Sequence, residues 1–363
     1  MNVATRETNG GCELLGAVER QKAERQRIFS LDGLRAISII LVLLGHLGGT
    51  RGFSKVDLLI GDYAHLGVTV FFVISGFLIT TLLMSEHATR GSVSLRSFYE
   101  RRALRIFPAS YAYLAVIGIL GFIGVVSLNA RDLWCGALYV MNYLPQRSWV
   151  VGHLWSLSVE EQFYLLWPLA FVMLRKKGQV RIIAAVIVVS ILARAANRVA
   201  FIGTPLHDLE IFPSVADSLA IGCLLAILKE WLERQRWYLK LLQPGWSLLV
   251  LLTVLLLNRW AGRTVDAVVG TTLINVGIAV LIHRCVSFPN DAVGTILNWR
   301  PLAALGVLSY SLYLWQQLFL NRWSTAWVNA FPQNLLFALA AALCSYFLLE
   351  KPLMGLRKRL ART

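Results

Sequence analysis

The sequence predicts an all-α protein, a polytopic transmembrane helical bundle of about ten spans with both termini on the cytoplasmic side. Three observations predict it. First, the 363 residues are 57% hydrophobic and 15% charged, against roughly 25% charged in an ordinary soluble domain, and the mean hydropathy is +0.61. A soluble chain of this composition would expose large apolar patches, which makes the bilayer its natural solvent. Second, the apolar residues fall in long runs, and in hydrocarbon an open-chain segment satisfies its own backbone only as a helix. Third, the 35 Lys and Arg, which give a net charge of +15, gather in short clusters between those runs. That is a positive-inside bias, not the continuous basic face of a nucleic-acid binder.

In chain order, residues 1–30 are polar, with Arg20, Lys22, Arg25 and Arg27 ahead of the first apolar run. They read as a cytoplasmic tail, disordered or interfacial. The run that follows starts too late and continues too long for a cleavable signal. Spans are expected at 34–50, 66–84, 109–127, 153–174, 180–199, 212–228, 245–258, 266–284, 301–320 and 335–350. Residues 133–144 are apolar but short. If they do not cross, the clusters Arg90–Arg105, Arg175–Arg181, Lys229–Lys240 and the tail Lys351–Arg362 all fall on the side of the N-terminal tail. An eleventh span there would move every later basic loop outside. Residues 133–144 are therefore expected to be re-entrant or interfacial, on the outer side. Trp149, Trp155, Trp260, Trp323 and Trp327 sit near the expected outer ends of spans, as an aromatic belt would. Cys12, Cys135, Cys223, Cys285 and Cys344 are scattered without a CxxC pair and read as small packing residues. No metal site is expected.

Ionisable groups inside spans are costly, which makes them functional candidates. Span one carries Asp32 and Arg35 at its cytoplasmic mouth and His46 eleven residues beyond Arg35, about 16 Å further along the axis. The neighbouring Gly45 leaves room for something to approach. Span four enters from the outside as His153-Leu-Trp-Ser-Leu-Ser-Val-Glu-Glu-Gln, which puts Glu160 and Glu161 about 10 Å below its start. Adjacent positions point about 100° apart, so one carboxylate can line a cavity while the other pairs elsewhere. Glu160 and Glu161 fall at the depth of His46, and a carboxylate beside an imidazole is how a general base is oriented. The same carboxylates would equally suit a proton or ion site in a transporter.

Ser75-Gly76 lies at mid-depth in span two, either a packing notch or a site. Tyr310 and Tyr313 in span nine are three apart and share a face. Their hydroxyls either line a polar cavity or bond backbone. Asp217 sits in span six with no partner legible in the sequence. Arg102 and Arg105 have the spacing to share one face of a short helix stopped by Pro108. Two guanidiniums there form a fork for phosphate oxygens, or anchor to anionic head groups.

Six ordered motifs carry a resemblance over nearly the whole chain: LDGLRAISIILVLLGH (31–46), FFVISGFLIT (71–80), RRALRIFPASY (101–111), HLWSLSVEEQFYLLWP (153–168), GVLSYSLYLWQQ (306–317) and LLEKP (348–352). The chain resembles acyltransferase family 3 of integral membrane proteins. The resemblance implies a membrane acyltransferase domain at 31–352 and a basic cytoplasmic tail at 353–363. It implies transfer of an acyl group, acetyl first among candidates, from cytoplasmic acyl-CoA to a hydroxyl of a carbohydrate or glycosylated acceptor. Acyl-CoA is then a co-substrate, and no cofactor is bound permanently. The expected home is the inner membrane of a bacterium, with no nucleic-acid partner.

Carried over residue by residue, Arg35 and His46 match the family's Arg-x10-His pattern, with His46 the catalytic group and Glu160 and Glu161 its expected helpers. Arg102 and Arg105 match its Arg-x-x-Arg motif and, with Arg35, are expected to bind the donor. Ser75, Tyr310, Tyr313 and Gln316 are expected to line the pocket. Three departures stand out. Gln316 occupies a position where many relatives have His, Val215 one where they often have Arg, and no esterase-like domain follows Lys351. Two mechanisms stay open at His46, general base or transient acyl carrier. The competing readings are a transporter or flippase for a lipid-linked intermediate and a structural assembly partner. Inverted repeats would favour transport, and none is evident between the halves.

Overall fold

The computed structural model describes residues 30–54, 62–200, 204, 210–260 and 266–353, and among them every regular element is a helix. The polar tail before Ser30, with Cys12, and the basic tail after Leu353 lie outside the described residues. Seven helical stretches are long and apolar enough to cross a membrane. They are α1 (Ser30–Leu47), α2 (Tyr63–Arg90), α3 (Leu95–Phe122), α7 (Lys176–Ala200), α8 (Phe212–Leu232), α11 (Thr271–Ser287, entered through a π turn so that the stretch begins at Val268) and α14 (Gln333–Ser345, continued through a π turn to Leu353). Between them come α4 (Ala130–Ala137), α5 (Trp149–Gly152), α6 (Leu154–Met173), α9 (Arg236–Leu241), α10 (Pro244–Trp260), α12 (Ala292–Leu297) and α13 (Arg300–Phe319). The chain is a multi-pass membrane protein.

Burial separates a centre from a rim. In α2, α8 and the α11 stretch 67% of the most apolar window is buried, against 17% in α7. Val188, Val189 and Leu192 on α7 and Leu248, Leu249 and Leu256 on α10 point outward, which only lipid can satisfy on this scale. The central contact is α2 against α8. A side chain on Gly76 would collide with the Leu219 carbonyl, and one on Gly222 with the Val73 carbonyl. The two glycines let the backbones touch, as small residues do between membrane helices.

Two expectations about elements need revision or refinement. Residues 133–144 form no spanning helix. The 8-residue α4 is capped at Asn129 and Asp132 and gives way to a 3-10 turn at Met141–Tyr143. At about 1.5 Å per residue, α4 covers well under half of the ~30 Å hydrocarbon layer. The second concerns Pro108, which was expected to stop a short helix and instead lies inside the 28-residue α3. A proline costs a helix one backbone bond, and neighbouring helices re-satisfy such sites in membranes. The carbonyl that Pro108 leaves without its helical bond is that of Leu104, four residues back; the Tyr310 hydroxyl donates instead to the Ile106 carbonyl, 2.7 Å away, and joins α13 to α3 beside the proline. Arg101, Arg102 and Arg105 consequently ride on a continuous rod rather than a separate segment.

Asp217 also finds its partner. Arg194 on α7 holds both of its carboxylate oxygens at 2.9 Å, and Thr272 on α11 donates to it at 2.7 Å. This buried knot ties three helices together. The signal missed in the sequence was an arginine inside the apolar run of span five.

Candidate active site

Three cavities stack in series through the bundle, each sharing wall residues with the next. At the arginine end, a cavity of about 360 Å³ lies between α2 and α3, lined by Glu86, Arg90, Arg101, Arg102 and Arg105. A narrow central cavity of about 90 Å³ shares Leu78, Arg102 and Arg105 with it and adds Arg35, Ser75, Glu160 and Tyr310. At the far end, a vestibule of about 450 Å³ shares Val68 and Tyr313 with the central cavity and opens among His46, Asp62, Trp149, His153, Trp155 and Gln317.

The arginine end is built on the first turns of α3. Leu95 starts that helix behind a Ser94 cap, and the Arg-x-x-Arg spacing then turns Arg102 and Arg105 to one face. Arg102 lies 5.0 Å from the ring centre of Tyr164 and 5.7 Å from that of Phe98, a cation–π arrangement that lowers the cost of burying a guanidinium without consuming its N–H donors. Arg101 is spent on Glu86 at 3.2 Å. Arg35 has Asp32 at 3.8 Å, long for an ion pair, and faces the central cavity. Three arginines thus line that cavity against one lining carboxylate, Glu160. The Ser75 hydroxyl donates to Glu160 at 2.6 Å and itself accepts from Tyr164 at 3.3 Å.

The two readings of Ser75-Gly76 therefore both hold, one for each residue: Gly76 is the notch and Ser75 faces the cavity. The two adjacent glutamates diverge as their 100° offset requires. Glu160 faces the cavity, whereas one oxygen of Glu161 is buried without a hydrogen-bond partner, and Glu161 is not part of the cavity wall.

At the other end His46 does not meet a glutamate, contrary to expectation. Its Nδ1 lies 2.8 Å from the Gln316 carboxamide oxygen and its Nε2 lies 3.4 Å from the Gln317 nitrogen. Glu160 and His46 line different cavities, and Glu160 is bonded to Ser75 on the wall it shares with the arginines. Trp149 meets the imidazole edge-on at 5.4 Å, and Arg322 stacks on Trp149 at 5.5 Å while donating to the Gly45 carbonyl at 3.0 Å. The space expected beside Gly45 is taken by α2, since a Cβ there would stand 2.7 Å from the Ala64 nitrogen.

Gln316, expected to line the pocket, is fully buried behind His46 and belongs to none of the three cavity walls. Tyr310 and Tyr313 do line the central cavity. Both hydroxyls are also bonded to backbone, that of Tyr313 to the His153 carbonyl at 2.9 Å.

Sequence reading missed Gln317 and His153. The His153 backbone N–H and Nδ1 both contact the Gln317 oxygen, at 3.0 and 2.8 Å. Both residues stand inside quoted motifs, and the second amide of a Gln-Gln pair was the available signal. Arg147 and Glu210 form a 2.6 Å ion pair at the vestibule rim, and Asp62 caps α2 there by accepting from the His65 N–H. The arrangement can hold an anionic group at one end and present an oriented neutral imidazole at the other.

The family model for the acyltransferase domain matches residues 28–350, and the chain belongs to acyltransferase family 3. It is 31% identical over 327 residues to a Bacillus subtilis protein named "Putative peptidoglycan O-acetyltransferase YrhL", covering 78% of this chain and 47% of that one. It is 29% identical over 311 residues to the O-acetyltransferase OatA of Staphylococcus aureus, covering 78% of this chain and 49% of that one. The chain spans about half the length of these curated relatives. No solved structure matches it.

Proposed function

We propose that this member of acyltransferase family 3 transfers an acyl group, acetyl first among candidates, from cytoplasmic acyl-CoA to a hydroxyl of a carbohydrate or glycosylated acceptor. The relatives' names point to peptidoglycan as the acceptor to test first. The supporting observation is the series of cavities with arginines at one end and His46 at the other. A phosphate-rich donor cannot enter hydrocarbon, whereas its thioester arm is slender and largely neutral. Arg102 and Arg105, whose forks are not consumed by carboxylates, suit the phosphates, and Glu160 supplies counter-charge while the donor is absent. The arm then reaches through the central cavity toward the imidazole.

Two routes use this layout. In the first, His46 takes the proton of the acceptor hydroxyl as that oxygen attacks the thioester carbonyl. The C–S bond breaks, and the leaving thiolate receives the proton from the imidazolium. In the second, an imidazole nitrogen attacks the thioester, CoA leaves, and the acceptor hydroxyl then attacks the acyl-imidazole. Counting α6 and α13, each 20 residues, and the 17-residue α10 as crossings alongside the seven apolar stretches gives ten. That topology puts both termini and the arginine end in the cytoplasm of a bacterium's inner membrane, with the His46 vestibule facing out.

The test is purified protein in nanodiscs incubated with radiolabelled acetyl-CoA, wild type against His46→Ala. Thioester cleavage or protein labelling that requires His46 supports the reading, and retained label selects the acyl-histidine route. If neither acetyl-CoA nor CoA binds the wild type, the enzyme reading falls and transport of a lipid-linked intermediate takes its place.

A further inference from the structure

We propose that Gln317 is a positioning residue that fixes the tautomer of His46, with hydrogen on Nδ1 and the lone pair on Nε2, and so selects Nε2 as the reacting nitrogen. The inference rests on His46 being the reacting group in the proposed function, and it follows from one unambiguous donor.

A backbone N–H can only donate, so the Gln317 atom 3.0 Å from the His153 N–H is its oxygen. This removes the usual freedom of a carboxamide to be flipped end for end. The His153 Nδ1, 2.8 Å from the same oxygen, must then carry hydrogen and donate as well. With its oxygen claimed twice, Gln317 presents its NH2 to His46 Nε2 at 3.4 Å. An NH2 group only donates, so Nε2 must hold a lone pair, which leaves the hydrogen of the neutral ring on Nδ1. That hydrogen meets the Gln316 oxygen at 2.8 Å.

Gln316 cannot be the selector. Its nitrogen is buried with no partner among the described residues, so none of them holds its amide against a flip, and it would serve either tautomer equally well. The locked amide decides and the free one follows. Such an outer partner commonly sets which imidazole nitrogen is available. Here the choice also has a direction, because Gln317 lines the vestibule and Gln316 does not. The lone pair is left on the vestibule side, and the 3.4 Å contact to it is long enough to yield to a substrate.

The experiment reads the tautomer directly, by 15N NMR of histidine-labelled protein in nanodiscs at a pH where His46 is neutral. The chain has six histidines, and the His46 signal is assigned by its loss in His46→Ala. Wild type is expected to show Nδ1 protonated and Nε2 bare. Gln317→Glu, which keeps an acceptor for His153 but offers no donor to His46, is expected to move hydrogen onto Nε2 and to lower acyl transfer at least tenfold. His153→Ala, which keeps the backbone N–H that holds the Gln317 oxygen, is expected to preserve the His46 tautomer. A bare Nδ1 in wild type overturns the proposal, as does a Gln317→Glu protein that loses rate with its tautomer unchanged. Because wild type alone supplies the first result, failure of a variant to fold leaves the proposal exposed to refutation. The tautomer is read without turnover, so its failure is distinct from failure of the enzymatic reading.

Discussion

The two ends of the candidate site solve opposite electrostatic problems. At the arginine end, charge is concentrated and left partly uncompensated: Arg35, Arg102 and Arg105 face a central cavity whose wall offers one carboxylate. At the histidine end the hydrogen-bond partners of the imidazoles are amides, His46 against Gln316 and Gln317 and His153 against Gln317, and the charged groups Asp62, Arg147 and Glu210 on the same wall stand apart from those bonds, Arg147 and Glu210 paired with each other. Charge binds at long range and tolerates misalignment, whereas neutral amides act only at contact and only in one orientation. In the proposed function the first end recognises an anion and the second orients a reacting group.

The sharpest way to break this division is His46→Ala. Transfer is expected to fall on the order of 10²- to 10⁴-fold, the range of a lost general base, with acetyl-CoA affinity within a few-fold of wild type by equilibrium dialysis. Loss of donor binding would merge the two ends into one. Next comes the double variant Arg102→Ala with Arg105→Ala. Each lost hydrogen bond to a charged group costs about 1.5–3 kcal/mol, so KM for acetyl-CoA is expected to rise roughly 100-fold or more while the rate at saturation holds. A collapse in saturated rate at normal KM would place those arginines in the chemistry.

Glu160→Gln is expected to act more gently. It keeps an acceptor for the Ser75 hydroxyl and removes the opposing charge, so donor affinity should tighten about 2- to 10-fold by the same dialysis. A 100-fold fall in turnover would show instead that the carboxylate serves the reaction. Smallest of all should be Ser75→Ala, which deletes the bond given to Glu160 and the one accepted from Tyr164; it leaves every charge of the cavity in place and should change KM a few-fold.

The helices that form the bundle were legible in the sequence because hydrocarbon imposes a single solution on each apolar run. The residues that line the candidate cavities were legible for a related reason: His46, Glu160 and the arginines are costly in lipid and therefore stand out in an apolar run. Their partners were not. Spacing along one helix gives depth and face, but not which distant helix supplies the neighbour, and the His46–Gln316 contact joins positions 270 residues apart. Glu160 and His46 were paired on depth, whereas Glu160 bonds Ser75 and His46 meets Gln316 and Gln317. Arg194 and Asp217 show the same limit, Asp217 singled out without a partner and Arg194 passed over until the structure paired them. Pro108 misled for a different reason: a proline removes one helical bond without having to end the helix, and α3 continues through it to Phe122.

The narrow waist of the cavity series bears on the energy economy of the cell. Between the arginine mouth and the His46 vestibule the space contracts to about 90 Å³, flanked by Val68, Phe72 and Ile79, enough for only a few waters. A bacterial membrane stores work as a proton and ion gradient, and a wide hydrated passage through this protein would drain it. So small a volume holds little water, and Arg35, Arg102 and Arg105 on the same wall raise the cost of any cation crossing. A passage this narrow lets the membrane stay insulating at the spot where chemistry from both sides would meet.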